Sequence, residues 1–143
     1  MALKTIKMVQ TFNAPVTEVF AALSDHETFG KICGINVTRI QEGAEQPNGL
    51  GSIRKLSIGP LPSFQETITD FKENELIEYK ITQGSPIKNH VGRLSFSTQG
   101  DMSVLHYTID LESKIPLTSG LIKAVLERGI SQGLQKYAHR LAS

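Results

Sequence analysis

Arg54, Glu66, Tyr79, His90 and Tyr107 are the residues of this chain whose types and spacing suit chemistry. Strand alternation puts Arg54 on one side with Leu56 and Ile58, and puts Glu66 with Phe64 and Ile68. Both charges then face the apolar side of a sheet, where an unpaired charge is costly. A Gly-Pro-Leu-Pro turn joins the two segments and sets Glu66 near Leu56, diagonal to Arg54, so that the two charges can pair. Three uses of the pair stay open. It is an internal salt bridge that shapes the interior and binds nothing. Or Arg54 or Glu66 fixes the polar end of an apolar ligand. Or Glu66 or His90 is a general base on an acidic carbon–hydrogen bond, with Arg54 or a tyrosine hydroxyl holding the oxyanion. His90 opens its strand and is expected at a solvated rim. Tyr79 and Tyr107 read as core tyrosines with satisfied hydroxyls.

Other reactive side chains carry less. Cys33 reads as a small buried residue rather than a nucleophile. His26, His90, His106 and His139 show no metal-ligand spacing, so no metal site is expected. Gly49-Leu50-Gly51 lacks the rest of a dinucleotide fingerprint and leads into a strand, which speaks against a nucleotide. No cofactor is implied.

The elements that must position these residues follow from periodicity. Residues 3–12 alternate with period two, giving a strand with one solvated face. Pro15 then suits a first helical turn, and Val16, Val19, Phe20 and Leu23 recur at helical spacing to about Ser24. A second short helix is expected over 25–33, ending near Gly34. A weak strand follows over 35–42, then a loop over 43–49. Strands are expected over 52–58, 64–71, 76–82, 90–97 and 103–113, with Ser52, Lys55 and Ser57 toward solvent. Residues 83–89 read as a loop. Cross-strand parity sets Ile68 opposite Tyr79 and Leu94 opposite Tyr107, and can set Gly92 opposite Tyr79. Thr118 or Ser119 can cap a last helix over about 121–141. Its apolar arc holds Ile122, Val125, Leu126, Ile130, Leu134, Tyr137 and Leu141, with Gly129 and Gly133 near the middle of the same arc. An antiparallel sheet with one apolar face needs a cover, and this helix can supply it.

Composition bounds the rest. At 143 residues the chain suits one domain, 1–143. Charged residues at 20% and hydrophobic residues at 39% match an ordinary soluble protein rather than a disordered one. A formal net charge of +1 makes no electrostatic case for nucleic acid or anionic membrane. No apolar run approaches the roughly 20 residues of a membrane span, so no integral membrane contact is expected. The alternating N-terminus is not a signal-peptide core. A single cysteine allows no internal disulfide, and a cytoplasmic location is the default.

Several motifs in this order match a known group. They are Phe12-Asn13-Ala14-Pro15-Val16, Val19-Phe20, Leu23-Ser24-Asp25, Gly49-Leu50-Gly51-Ser52-Ile53-Arg54, Glu66, Tyr79, Gly84-Ser85-Pro86 and Gly133-Leu134. With them the chain resembles the START-like superfamily, also called birch-pollen-allergen-like or SRPBCC, and its bacterial polyketide cyclase/dehydrase-type branch. The resemblance implies an α+β helix-grip fold. A curved seven-stranded antiparallel sheet wraps a long C-terminal helix, two short helices follow the first strand, and a cavity lies between sheet and helix. Members bind lipids, sterols, hormones or polyketides, and a minority catalyse cyclisation or dehydration. This chain departs from many relatives in having no tryptophan.

The expectation is therefore a binding protein for a small apolar or amphipathic molecule with one polar or anionic end. Arg54, Glu66, Tyr79, His90 and Tyr107 would meet the polar end. Leu56, Ile68, Leu94, Phe96, Ile122, Leu126, Gly129 and Ile130 would line the rest, with the loops 43–49 and 83–89 at the entrance. The alternative is a cyclase/dehydrase-type enzyme with Glu66 or His90 as base. A protein-interaction module is a third possibility, which a filled interior would favour.

Overall fold

The computed structural model describes residues 3–58, 62–84, 87–113 and 119–142. Strand β1 (Lys4–Phe12) leads into helices α1 (Val16–Ser24) and α2 (His26–Cys33). Six strands follow: β2 (Asn36–Gln41), β3 (Ile53–Ser57), β4 (Phe64–Lys72), β5 (Leu76–Gln83), β6 (Ile87–Gln99) and β7 (Met102–Ser113). Helix α3 (Ser119–Ala142) closes the chain. The strands form one antiparallel sheet in the order β1-β7-β6-β5-β4-β3-β2. This is the expected helix-grip architecture.

The two short helices are placed by local chemistry. Pro15 opens α1, and its carbonyl accepts from the Glu18 backbone N–H at 3.1 Å. Asp25 separates α1 from α2 and caps α2 through the Thr28 N–H at 2.9 Å. Thr28 Oγ1 donates to the same carboxylate at 2.6 Å, and with this bond as the first cause the Asp25 carboxyl is held below its ordinary range. Gly34 ends α2 in the left-handed region, φ 72°.

The sheet's inner face and α3 share one core. Ile6, Phe12, Leu94, Leu105, Tyr107 and Ile109 come from the strands, and Leu126, Ile130, Leu134 and Tyr137 from α3. Phe20 of α1 bridges to Phe71 and Phe96 at 5.4 and 5.1 Å between ring centres. Each such side chain contributes roughly 1.5–3 kcal/mol by its burial. The expected pairings hold: Ile68 faces Tyr79, Leu94 faces Tyr107, and Tyr79 faces Gly92. At Gly92 the space is filled by the tyrosine ring, since an added Cβ would stand 2.0 Å from Tyr79 Cζ.

Four expectations need correction. Glu66 pairs directly with Arg54 and not with Leu56, which faces Phe64. Ser52 is fully buried, because period two puts it on the face of Arg54 and Leu56. Strand β6 begins at Ile87, so His90 lies inside a strand and is buried, not at a rim. Val125 and Gly129 of α3 are exposed, because among the described side chains the helix buries the side of its apolar arc that carries Leu126, Ile130, Leu134 and Tyr137. The end of the loop that follows β2 is tied to β4: Gly51 N–H donates to Ile68 O and Ile68 N–H to Ser52 O, each at 2.9 Å. The turn through Gly59-Pro60, residues 85–86 and the Ile122 side chain lie outside the described residues, as does the cap expected from Thr118 or Ser119.

Candidate functional site

The β3–β4 pairing carries two opposite charges into the interior. Arg54 Nε donates to Glu66 Oε1 at 2.9 Å, and Nη2 stands 2.7 Å from the same oxygen without the alignment of a hydrogen bond. Both side chains are at most 3% exposed. The guanidinium carbon lies over two rings, 4.7 Å from the Phe29 centre and 4.5 Å from that of Tyr79. Burial is the largest influence on the Arg54 guanidinium and works against its charge, but Glu66, Tyr79 and Tyr107 together outweigh it and the pKa rises.

His90 reaches the other carboxylate oxygen. Its Nδ1 stands 3.5 Å from Glu66 Oε2 and has no hydrogen-bond partner among the described residues. Burial lowers the His90 pKa against the pull of Glu66, with Arg54 adding to the lowering. His90 is therefore a neutral imidazole at neutral pH. Its ring meets Tyr79 edge-on. The Tyr79 and Tyr107 hydroxyls share a short buried hydrogen bond. Burial raises both phenol pKa values, so each hydroxyl keeps its proton.

These polar groups border a void of about 20 Å³ between the sheet and α3. That is room for a single water molecule, so the expected ligand-sized cavity is not open here and the interior is close to the filled one that would favour an interaction module. Glu66, Tyr79, His90 and Tyr107 line it on one side; Leu56 and Phe64 of the sheet and Leu126 and Ile130 of α3 supply apolar wall. Phe29 of α2 also lines it, and periodicity gave no reason to place it there. Other expected wall residues stand elsewhere. Arg54 is behind the wall, while Ile68, Leu94 and Phe96 are core residues away from the void. Gly129 points outward, and a Cβ added there would meet nothing within 4 Å. Cys33 is buried, and that burial pushes its thiol up to about 12.

A second buried polar cluster escaped the sequence reading. His26 Nε2 and Ser52 Oγ are 2.9 Å apart, and both residues are at most 1% exposed. Burial, then Arg54, lowers the His26 pKa to about 3. Asn48 links this region, giving Nδ2–H to Asp25 at 3.1 Å and accepting from Arg39 at 3.1 Å. The parity of Ser52 with Arg54 was the available signal. Among the described residues no cluster of His, Cys, Asp and Glu could hold a metal ion, and no helix is long and apolar enough to cross a membrane.

Known proteins place this geometry in context. A START superfamily protein from Mycobacterium smegmatis superposes with TM-score 0.80 at 18% identity, covering 96% of this chain and 98% of that one. The Zhui aromatase/cyclase from Streptomyces sp. R1128 does so with TM-score 0.78 at 17% identity, covering 99% and 97%. Truncated norcoclaurine synthase from Thalictrum flavum gives TM-score 0.70 at 12% identity, covering 95% and 93%. At such identities these likenesses establish the fold. No curated protein matches the chain significantly. Residues 4–143 match the family described as polyketide cyclase / dehydrase and lipid transport, so this chain is a member of that family, on the START-like helix-grip fold.

Proposed function

We propose that this protein binds a small, mainly apolar molecule with one polar group, held between the sheet and α3. The observation that carries this reading is the buried polar set on an otherwise apolar void. Glu66, His90, Tyr79 and Tyr107 converge there, and His90 Nδ1 has no hydrogen-bond partner among the described residues. A core built only for stability gains nothing from an ion pair there, because apolar side chains of similar volume serve as well or better. Ligand sites combine apolar walls with a few such polar groups.

The void of about 20 Å³ is smaller than an organic ligand, so binding in this reading requires α3 to move outward. The packing of α3 supports such movement of its first half. None of the described side chains over 120–125 is buried, and among the described side chains Leu126 is the first of α3 to enter the core. The second half is held by Ile130, Leu134 and Tyr137, and by Gly133 against the Ile32 carbonyl.

The test is titration with Nile red, a neutral dye that reports apolar surroundings. Wild type is expected to give saturable, one-to-one binding, lost in Leu126→Trp, which fills the void, and kept in Leu121→Asp, which alters an exposed position. Binding that survives Leu126→Trp but is lost in Leu121→Asp would place the dye on the outer surface and refute the reading.

A second reading, catalysis on such a ligand, is favoured by the neutral His90 beside the Glu66 carboxylate. A neutral imidazole or a carboxylate can take a proton, and the tyrosine hydroxyls can stabilise an oxyanion. Glu66→Gln is then expected to abolish turnover while a neutral ligand still binds. Retained turnover would remove Glu66 as the base.

A further inference from the structure

We infer that Glu66 sets the selectivity of this site, so that the bound head group is an uncharged hydroxyl rather than a carboxylate or an ammonium. The inference rests on the binding reading above. The charge on the void's wall is Glu66, not Arg54. Arg54 already turns Nε and Nη2 to Glu66 Oε1, and its Cζ lies over the rings of Phe29 and Tyr79. The pair sums to zero charge, and the neighbouring groups, His90, Tyr79 and Tyr107, are neutral. A carboxylate in the void would meet Glu66 as a like charge where salt screens little. An ammonium would compete with Arg54 for the same carboxylate and leave a buried guanidinium short of its partner. A hydroxyl meets neither cost. It donates to a carboxylate and accepts from an N–H, so it suits Glu66 and either tautomer of His90 Nδ1.

Selectivity of this kind is achieved by repulsion as much as by attraction. Glu66 is the repulsive element against anions, and it keeps Arg54 from attracting them. Removing its charge frees the guanidinium, and the preference should then shift toward anions.

The experiment compares para-hexylphenol, para-hexylbenzoate and para-hexylbenzylammonium by calorimetric titration at neutral pH. Wild type is expected to bind the phenol at least about tenfold more tightly than either ion. In Glu66→Gln the phenol-to-benzoate ratio is expected to fall by about tenfold or more while the phenol still binds. Equal or tighter binding of benzoate or the ammonium by wild type would overturn the inference and leave the binding reading standing. An unchanged ratio in folded Glu66→Gln would overturn the role of Glu66. If that variant does not fold, the wild-type ratios decide alone. Failure of wild type to bind any of the three would refute the binding reading, and the inference with it.

Discussion

Arg54 and Glu66 stand where neither is tolerable alone. Removing one partner leaves an uncompensated buried charge, so Arg54→Ala is expected to cost about 3–5 kcal/mol in urea unfolding. The double variant Arg54→Met/Glu66→Leu should fall close to wild type, because it removes both charges and keeps the volume. A double variant as unstable as the single one would show that the pair itself stabilises the fold. His26 gives a second expectation at this scale. Its pKa is about 3 in the folded protein, against roughly 6.5 in an unfolded chain. The unfolded state therefore takes up a proton first as pH falls, and stability present above about pH 6.5 is lost between there and about pH 3. Buried His90 acts in the same direction. The slope for His26 alone approaches about 1.4 kcal/mol per pH unit. His26→Gln should flatten the acid limb of stability against pH, and an unchanged limb would contradict this. The sequence showed Arg54 and Glu66 because strand parity exposes a charge on an apolar face. It did not show His26 facing Ser52, because that contact joins a helix start to a strand start 26 residues away.

Helix α3 tests the same logic at the scale of an element. Gly129 and Gly133 lie one turn apart, but only Gly133 marks a close approach. A Cβ at Gly133 would stand 2.1 Å from the Ile32 backbone oxygen, whereas one at Gly129 meets nothing. Gly129→Ala is therefore expected to raise stability by up to about 1 kcal/mol, through helix propensity alone. Gly133→Ala should lower it, since backbone of α2 must shift. Thermal unfolding of the two variants checks this, and equal effects would contradict the assigned contact. In the sheet, pairing register was legible because one buried face forbids a one-residue slip. Strand starts were less legible: Gly84 and Pro86 suggested a loop to Asn89, yet β6 already runs from Ile87. That difference of a few residues turned His90 from a rim residue into a buried one.

At the scale of the whole molecule, periodicity showed the order of strands and a long helix able to cover them, and the family resemblance supplied the helix-grip architecture. The size of its interior was not legible, because a void of about 20 Å³ is a small remainder between backbone spacing and side-chain volume. The central claim is that this remainder opens around a ligand. The most direct measurement is a titration of the protein with para-hexylphenol followed by backbone amide NMR. Saturable shifts are expected at Glu66, Tyr79, His90 and Tyr107 on the sheet and at Leu126 and Ile130 on α3, the groups that border the void from both sides. No saturable shifts, or shifts confined to the outer face of the sheet, would contradict it.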